Sequence, residues 1–323
     1  MDLLFIVDPL DHFKTHKDSS FAMMREAARR GHRLWTCETP RLHWQRGQQV
    51  QARGAQRIEL SAAALTSTYG TALKDWFAGV ESADLALCEV GAVLMRKDPP
   101  FDAEFIYATH LLSQAEREGA KVFNKPSALR EHPEKLALME FPEFIAPTLV
   151  SRDSAALRAF HAEQRDVIFK PLDGMGGMGI FRVREDGLNL GAILEQLTQY
   201  GSQTIMAQRY LPEIVEGDKR VLLIDGVPVS HSLARIPQGG EVRGNLAAGG
   251  KGVAMPLTAR EREVAEALGP TLAARGLLLV GLDLIGGFLT EINVTSPTCF
   301  QEISAQAGLD VAAQYLDALE RCC

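Results

Sequence analysis

A glycine-rich segment between two strand-like runs places the strongest limit on how this chain can fold. Residues 174–179 contain four glycines in six positions, and they follow the apolar run at residues 167–170. The glycines match the G-x-G-x-x-G spacing of dinucleotide-binding folds, but those folds require a helix next, and the β-like run at residues 180–183 follows instead. A strand, a glycine loop and a second strand predict a flexible flap whose backbone N–H groups can close over phosphate groups. A plain glycine hairpin is the structural alternative, although a turn needs fewer glycines.

A second glycine-rich segment, at residues 244–252, does not fit a P-loop. Its spacing is one residue out, and no Ser or Thr follows Lys251. It belongs to the longest stretch without secondary-structure signals, residues 236–252. Loops of that length in compact domains are usually functional. We expect this one to be a mobile lid over the reaction centre.

A hairpin late in the chain carries three side chains with hard oxygen atoms. The turn Gly286-Gly287 supplies the positive φ that a tight reversal needs. Because strand side chains alternate, Glu291 and Asn293 share one face, and Asp283 on the facing strand can reach the same space. Carboxylate and amide oxygens suit Mg²⁺ or Mn²⁺ completed by phosphate oxygens, and they suit zinc poorly. A solvated hairpin edge is the structural alternative.

Composition indicates a globular chain without a nucleic-acid or membrane partner. Its 323 residues can bury a sizeable core in two or three lobes. The net charge of −7 argues against binding through a phosphate backbone, and no apolar run approaches a membrane span. Residues 1–8 lack a basic leader, so we expect a first strand there and not a signal peptide. The five scattered cysteines contain no C-x-x-C pair, which favours a reduced, cytoplasmic protein.

The order of predicted elements indicates an α/β chain that begins with an open α/β lobe. A strand at residues 3–7 precedes a helix at residues 21–30, capped by residues 18–20 and stopped by Gly31. The other predicted strands lie near residues 85–88, 93–96, 121–124, 144–150 and 167–170, and the other predicted helices near residues 104–118, 134–140, 155–163, 259–275 and 311–321. We divide the chain into an N-terminal α/β domain (residues 1–122), a central lobe with the flap (123–203) and a C-terminal lobe with the metal site and lid (204–323).

A flap with Lys170 at a strand end, a second lysine at Lys125 and the late acid–acid–asparagine set are together typical of the ATP-grasp superfamily. More closely, the chain resembles the bacterial glutathione synthetases. The resemblance runs nearly end to end, through residues 17–23, 94–102, 169–183, 218–221, 233–240, 243–250 and 290–298. The flap and the metal motif alone indicate only ATP-grasp, whereas the arginine-glycine lid and the Arg96 segment are specific to this family. Met178-Gly179 stands where smaller residues are usual, which removes no functional side chain.

This resemblance implies an ATP-grasp fold preceded by an open α/β domain, and a ligase that joins γ-glutamylcysteine to glycine while ATP becomes ADP and phosphate. It further implies an acyl-phosphate intermediate, a pair of Mg²⁺ or Mn²⁺ ions and a homotetramer. Adenine is expected at the hinge strand, which corresponds to residues 208–211, and ribose is expected at Asp218. The implied nucleotide contacts are Lys125, Lys170, Gly174, Met175, Gly176, Gly177, Met178, Gly179, Gln208, Arg209, Tyr210, Leu211 and Asp218. The implied metal ligands are Asp283, Glu291 and Asn293.

Arginines supply the remaining positive charge that the resemblance implies. Arg220 and Arg235, with Lys170, are the expected catalytic residues, because a guanidinium can grip two oxygens of an acyl phosphate or a carboxylate. Surface salt bridges are the structural alternative for both arginines. The first turn of the first helix can orient a zwitterionic peptide end, or can be an ordinary N-cap. The expected substrate contacts are Asp18, Ser19, Phe21, Arg96, Tyr107, Arg220, Arg235 and Asn293.

Two other functional classes stay open at the level of sequence. A sister ATP-grasp ligase would share the phosphate-binding residues and join a different acid and amine. A non-catalytic nucleotide-binding protein is the second, because the synapsins resemble this fold and use it in association. An intact lid and an intact metal set favour the ligase.

Overall fold

The fold is built on three β-sheets, seen in a computed structural model that describes residues 1–240, 243–246 and 249–323. The first sheet belongs to the N-terminal domain. Its elements are β1 (Asp2–Ile6), α1 (Ser19–Arg29), β2 (Arg33–Cys37), β3 (Leu42–His43), β4 (Gln51–Leu60), α2 (Ala62–Thr66), β5 (Phe77–Ala86), β6 (Ala92–Met95), α3 (Ala103–Arg117) and β7 (Val122–Phe123).

The N-terminal sheet has the open α/β arrangement that the sequence predicts. Strand β1 pairs in parallel with β2 and β6, and β6 pairs in parallel with β7. Antiparallel β4 and β5 extend the sheet beyond β2. The strand predicted at residues 85–88 is the end of β5, since a 3₁₀ turn begins at Leu87. The sequence does not predict β4, because its alternation of apolar and polar residues is weak.

The second sheet belongs to the central lobe and is antiparallel, in the order β10-β9-β11-β8. Its elements, with a preceding helix, are α4 (Pro126–Glu131), β8 (Thr148–Ser151), α5 (Ser154–Gln164), β9 (Val167–Pro171), β10 (Phe181–Val183), α6 (Leu190–Thr198) and β11 (Ile205–Arg209). Strands β9 and β10 flank the glycine-rich segment and pair with each other. The strand–loop–strand prediction for the flap is therefore confirmed.

Three details of the central lobe differ from the sequence prediction. The helix predicted at residues 134–140 is a 3₁₀ segment, Leu136–Glu140. The strand predicted from residue 144 begins at Thr148, because prolines interrupt the preceding backbone and Pro142–Phe144 forms another 3₁₀ turn. Strand β11, which the proposed division at residue 203 assigns to the C-terminal lobe, pairs with β8 and β9.

The third sheet forms the C-terminal lobe, in the order β15-β14-β12-β16-β17 with β13 beside β12. Its elements are β12 (Asp218–Ile224), β13 (Val227–Pro228), β14 (His231–Ile236), β15 (Lys251–Pro256), α7 (Ala259–Ala274), β16 (Leu279–Ile285), β17 (Phe288–Asn293), α8 (Phe300–Ala307) and α9 (Val311–Cys322). The predicted hairpin is β16–β17, and Gly286 and Gly287 have φ of 57° and 79°. The hairpin prediction is therefore confirmed.

The N-terminal domain and the C-terminal lobe share a buried core. Asn124, which follows β7, uses its side-chain amide to bind the backbone of Leu279 and of Val294. Arg30 at the end of α1 forms an ion pair with Asp317 on α9 at 2.7 Å. Within the described part of the chain, no helix combines the length and apolar character needed to cross a membrane.

Candidate active site

A cavity of about 560 Å³ is lined by all three parts of the molecule. Residues 174–178 of the flap and the hinge residues 208–211 form one side of it. The β16–β17 hairpin and the ends of β12 and β14 contribute charged side chains. The loop before α1, the start of α8 and residues 134–135 and 243–246 also contribute to the lining. The sequence-predicted flap, hinge and hairpin are thus brought to one place.

Two arginines and an aspartate form a buried charged group on the C-terminal sheet. Arg220 on β12 pairs with Asp283 on β16 and donates from Nη2 to Oδ2 at 2.8 Å and from Nε to Oδ1. Arg235 on β14 forms ion pairs with Asp283 at 2.9 Å and with Asp218 at 2.6 Å. Both arginines line the cavity. The alternative that they are surface salt bridges is wrong, because both are buried.

Burial and charge pairing set the protonation of this group. Burial alone would raise the pKa of Asp283, but Arg220 and Arg235 hold it well below the ordinary value. Burial disfavours the charged arginines, yet the adjacent carboxylates keep the pKa of each above its ordinary value. Burial raises the pKa of Asp218 to about 6, against the opposing effect of Arg235. At neutral pH the cavity wall therefore carries two guanidinium charges, with Asp283 as the counter-ion of both and Asp218 as a second counter-ion of Arg235.

The surroundings of Asp283 are not those that the sequence predicts for a metal ligand. It lies opposite Glu291 in the hairpin, so the shared face is confirmed. However, both of its carboxylate oxygens contact Arg220 or Arg235, and Asp283 is not among the residues that line the cavity. The reason is tertiary: β12 and β14 bring two guanidinium groups to β16, and hairpin periodicity carries no information about them.

The other oxygen ligands of the hairpin fit a divalent cation. The Nδ2 group of Asn293 donates to the carbonyl of Gly281 at 3.3 Å and to Asp283 Oδ2 at 3.2 Å, which leaves Oδ1 as an acceptor. Asn293 and Glu291 both line the cavity. Among the described residues, no three His, Cys, Asp or Glu side chains form a metal-binding group by themselves. Phosphate oxygens would therefore have to complete the coordination of Mg²⁺ or Mn²⁺.

Two buried lysines contact Glu291 on the side of the flap. Lys135 Nζ lies 3.3 Å from Glu291 Oε1 and donates at 2.7 Å to the carbonyl of Gly174. Lys170, on β9, lies 4.0 Å from the same carboxylate oxygen and donates to the carbonyl of Thr290 at 3.3 Å. Burial lowers the pKa of Lys170, and Glu291 opposes this effect. Two ammonium groups thus lie beside the hairpin, where they can bind phosphate oxygens.

Lys125 does not belong to this pair, although the resemblance implies that it does. It is exposed at the N-cap of α4, and it is not among the cavity-lining residues. The adjacent Asn124 explains the Asn-Lys-Pro motif, because its buried amide joins β7 to the backbone of the C-terminal lobe. In this structure the motif connects the N-terminal domain to the C-terminal lobe. Lys135, further along the chain, occupies the position that the sequence assigns to Lys125.

The flap and hinge form a wall suited to a nucleotide. Gln208 donates from Nε2 to Thr148 Oγ1 at 3.1 Å, so its side chain is held within the sheet and recognition of adenine would fall to the backbone. Asp218 lines the cavity, and its Oδ1 is buried without a hydrogen-bond partner, which fits a ribose hydroxyl donor. Residues 174–178 of the flap line the cavity, but Gly179 does not. A Cβ at Gly179 would lie 3.1 Å from Pro171, so this glycine permits close packing at the base of the flap.

Charged side chains line the end of the cavity beside the N-terminal domain. Asp18 caps α1 by accepting from the backbone N–H of Phe21 at 2.8 Å, and it lines the cavity together with Lys17. Burial raises the pKa of Asp18 to about 6. Glu302, in the first turn of α8, also lines the cavity, and its Oε2 is buried without a hydrogen-bond partner. Asp18 is therefore both a helix cap and a cavity-lining acid.

The other first-turn residues have structural contacts. The Ser19 hydroxyl accepts from the backbone N–H of Phe300 at 3.2 Å. The Phe21 ring packs edge-on against Trp76 with centroids 5.1 Å apart. Neither Ser19 nor Phe21 lines the cavity. The helical periodicity of α1 turns Phe21 toward the core, so its predicted contact with substrate is not supported by its position.

Arg96 and Tyr107, the remaining predicted substrate contacts, do not line the cavity either. Arg96 is buried and donates to the Ser20 hydroxyl at 3.1 Å and to the carbonyl of Pro297 at 2.9 Å. It therefore joins the N-terminal domain to the segment after β17. Tyr107 lies on α3 with 60% of its surface exposed. It lies outside the site because α3 buries the face that carries Phe105, Ala108 and Leu112, and Tyr107 is on the exposed face.

The predicted lid at residues 236–252 is only partly within the described chain. Residues 241, 242, 247 and 248 of this prediction lie outside the described residues. Arg243 and Asn245 line the cavity, and Arg243 Nη1 donates to the carbonyl of Gly177 at 3.2 Å. A Cβ at Gly177 would lie 2.7 Å from Asn245 Oδ1. The described part of this segment therefore contacts the flap.

Sequence reasoning misses Glu134 as well as Lys135. Glu134 lines the cavity and accepts from the Thr295 hydroxyl at 2.9 Å, and its backbone carbonyl accepts from Ile292 N at 2.9 Å. Burial and the charge of Glu291 raise the pKa of Glu134 to about 6. Glu134 and Lys135 are adjacent charged residues, so the sequence predicts an ordinary exposed helix surface there. No local pattern indicates that the segment packs against β17.

Comparison with known proteins gives a match over nearly the whole chain. Residues 1–130 match the family model described as prokaryotic glutathione synthetase, N-terminal domain, and residues 134–308 match the model for its ATP-grasp domain. A glutathione synthetase of Ralstonia nicotianae is 57% identical over 321 residues, which cover 99% of this chain and 96% of that protein. A glutathione synthetase of Neisseria meningitidis serogroup A is 54% identical over 319 residues, with 99% and 98% covered.

Solved structures support the same fold at low sequence identity. The D-cycloserine synthetase DcsG aligns over 100% of both chains with a TM-score of 0.68 and 17% identity. The ATP-grasp ligase PsnB in complex with a minimal precursor aligns over 99% of both chains with a TM-score of 0.62 and 18% identity. These similarities concern the fold alone.

Proposed function

Because the chain belongs to the prokaryotic glutathione synthetase family, it is an ATP-dependent ligase that forms glutathione, and we propose that the cavity described above is its active site. The observation that carries the proposal is the convergence of two buried arginines, two buried lysines and the hairpin oxygens on one cavity. No other ATP-grasp ligase or non-catalytic function is favoured by a specific feature of the chain.

The chemistry requires positive charge at two successive steps. In the first, an oxygen of the cysteinyl carboxylate of γ-glutamylcysteine attacks the γ-phosphorus of ATP, and the bond from that phosphorus to the ADP oxygen breaks. In the second, the glycine nitrogen attacks the acyl carbon, loses its proton, and inorganic phosphate leaves. Both steps place negative charge on oxygens, so fixed cations in a site that excludes water stabilise them.

The side chains divide this task by position. Lys135 and Lys170 lie between the flap and the hairpin, and we assign them to the ATP phosphates. Arg220 and Arg235 hold their charge beside Asp283, and we assign them to the reacting carboxylate and the phosphate bound to it. No nucleophilic side chain is needed in this sequence of steps.

Glu291 and Asn293 would hold the divalent cation, with Asp283 orienting the amide of Asn293. A bound Mg²⁺ or Mn²⁺ would neutralise charge on the phosphate oxygens. The proposal includes a pair of ions, and the hairpin supplies oxygens suited to either metal. Asp283 contributes through the hydrogen bond it accepts from Asn293 Nδ2 at 3.2 Å.

The N-terminal end of the cavity is assigned to the γ-glutamyl end of the peptide. That end carries an α-ammonium and an α-carboxylate, and the cavity there carries both Asp18 and Lys17. A buried carboxylate is stabilised most by a cationic partner, so we assign Asp18 to the ammonium group. The nucleotide would lie at the flap and hinge, with Asp218 accepting from the ribose.

We also propose a cytoplasmic homotetramer that acts on small molecules and has neither a nucleic-acid nor a membrane partner. Five free cysteines support a reducing compartment. The acidic net charge of −7 opposes binding to nucleic acid. The tetramer is supported only by resemblance to the family, and sedimentation at several protein concentrations would test it.

Phosphate release from ATP with γ-glutamylcysteine, measured with and without glycine, tests the proposed function. We expect phosphate release that requires a divalent cation, either Mg²⁺ or Mn²⁺, and also requires glycine. Glutathione should form at the same time. Phosphate release supported by a different amine or acid, with none for this pair, would indicate a sister ligase. ATP binding without any release would indicate a non-catalytic protein.

A further inference from the structure

One side chain of the C-terminal lobe holds the substrate loop of the N-terminal domain. Gln301 lies in the first turn of α8 and is 1% exposed. Its Nε2 donates to the carbonyl of Thr15 at 2.9 Å and to the carbonyl of Asp18 at 3.2 Å. Its Oε1 accepts from the backbone N–H of Gly70 at 3.2 Å. Both donors and the acceptor of one amide are thus used on the N-terminal domain.

The loop held by Gln301 forms the end of the cavity. Residues 7–18 connect β1 to α1, and Lys17 and Asp18 of this loop line the cavity. Thr15 also attaches the loop through its side chain, because its hydroxyl donates to the carbonyl of Thr71 at 3.2 Å and accepts from Leu73 N at 2.8 Å. Gly70, Thr71 and Leu73 belong to one segment. Gln301 therefore fixes the loop and its supporting segment to α8 at the same time.

The position of the Asp18 carboxylate follows from this attachment. Its side chain caps α1 and cannot move independently of the loop backbone that Gln301 binds. Helix α8 follows the β16–β17 hairpin directly in the chain, and β16 carries the counter-ion of Arg220 and Arg235. An amide on α8 is therefore well placed to set the distance between Asp18 and the reaction centre.

We propose that Gln301 is a positioning residue that holds Asp18 where it binds the free α-ammonium of the γ-glutamyl end, and thereby sets the selectivity of the enzyme for γ-glutamyl peptides. This inference rests on the proposed function. Glu302, adjacent to Gln301, lines the same cavity and has a buried carboxylate oxygen without a hydrogen-bond partner, and we assign it as a second acceptor for the ammonium group. A peptide without the amino group would leave Asp18 with only its capping hydrogen bond and Glu302 Oε2 without a partner.

A pair of acyl donors separates positioning from simple packing. N-glutarylcysteine has the carbon chain and carboxylates of γ-glutamylcysteine but lacks the α-amino group. The wild-type enzyme should prefer γ-glutamylcysteine in kcat/KM. Gln301→Met removes all three hydrogen bonds of the amide. We expect it to reduce that preference about tenfold by raising KM for γ-glutamylcysteine, because Asp18 is then no longer held where it binds the substrate ammonium. KM for ATP should be unchanged.

Two further variants control for stability. Gln301→Glu keeps the size of the side chain and its Oε1 acceptor while removing both N–H donors, so it carries the same test if the methionine variant does not fold. Its carboxylate would face the carbonyls of Thr15 and Asp18, and the loss of preference should be at least as large. Ser304→Ala removes a buried hydrogen bond elsewhere on α8, the one from Val311 N at 3.3 Å, and should leave the preference unchanged.

The outcomes are distinct. If kcat/KM falls equally for both acyl donors in the Gln301 variants, the residue only supports the fold and the proposal is overturned. A wild-type enzyme that uses both donors equally well would remove the ammonium subsite itself. Absence of glutathione formation by the wild type would instead count against the proposed function, independently of Gln301.

Discussion

Lys135→Met removes a buried ammonium group that the sequence pattern does not identify, while keeping most of the side-chain stem. The side chain of Lys135 is 3% exposed, and its Nζ lies 3.3 Å from Glu291 Oε1. Lys125→Met is the matched control, because Lys125 is exposed and outside the cavity. We expect the first variant to lose most of its activity and the second to retain it.

The size of the effect follows from the charge that is lost. Two unit charges about 4 Å apart interact by roughly 4 kcal/mol at an effective dielectric constant of about 20. Lys170, 4.0 Å from Glu291, remains and offsets part of the loss. A net loss of about 2 to 3 kcal/mol corresponds to roughly a 30- to 150-fold fall in kcat/KM for ATP.

Initial rates of ADP formation at varied ATP concentration measure this fall, with γ-glutamylcysteine and glycine saturating. Melting temperatures of both variants establish that they are folded. The reasoning is refuted if folded Lys135→Met stays within about twofold of the wild type, or if Lys125→Met shows the larger loss. In the second case the Asn-Lys-Pro motif would contribute to catalysis directly.

Three other perturbations have expected outcomes. Glu291→Gln and Asn293→Ala should each abolish ligation at saturating Mg²⁺ without unfolding, because each removes a hard oxygen from the proposed cation site; wild-type turnover by either would withdraw the assignment. Burial raises the pKa of Asp18 to about 6, so the native state binds this proton more tightly than the unfolded chain and loses stability as pH rises through roughly 4 to 6. Asp18→Asn keeps a helix-capping side chain and should melt higher than the wild type near pH 7.5 but not near pH 4, and an equal difference at both pH values would contradict the shift. Gly177→Ala places a Cβ 2.7 Å from Asn245 Oδ1 at φ +84° and should slow ligation about tenfold; partial recovery on adding Asn245→Gly is expected, and no recovery would attribute the loss to backbone strain alone.

Local pattern is sufficient for the parts of the site that depend on neighbours in sequence. The flap could be predicted because a strand follows its glycines, and β9 and β10 pair around it. The β16–β17 hairpin could be predicted from Gly286-Gly287 and from alternation, which also places Asp283 opposite Glu291. These features involve residues close together in the chain, where period and turn chemistry act directly.

Short elements without strong periodicity could not be predicted as well. Residues 134–140 are spaced like a helix, but the only regular element among them is the 3₁₀ segment Leu136–Glu140, and β4 carries too little alternation to be recognised. Lys135 immediately precedes this 3₁₀ segment. A lysine two residues after Pro133 gives no sign in sequence that it is buried against β17.

The sequence by itself determined that this chain has a glycine flap and a hairpin with hard oxygen atoms, because those follow from residue type, alternation and motif. Only the family resemblance placed two arginines near that hairpin. Only the tertiary structure decided which side chains meet. It placed Lys135 and not Lys125 beside Glu291, enclosed Asp283 between Arg220 and Arg235, and put Gln301 across a domain boundary from Asp18. The physical reason is that these contacts join strands and helices far apart in the chain, and their geometry depends on how whole sheets pack.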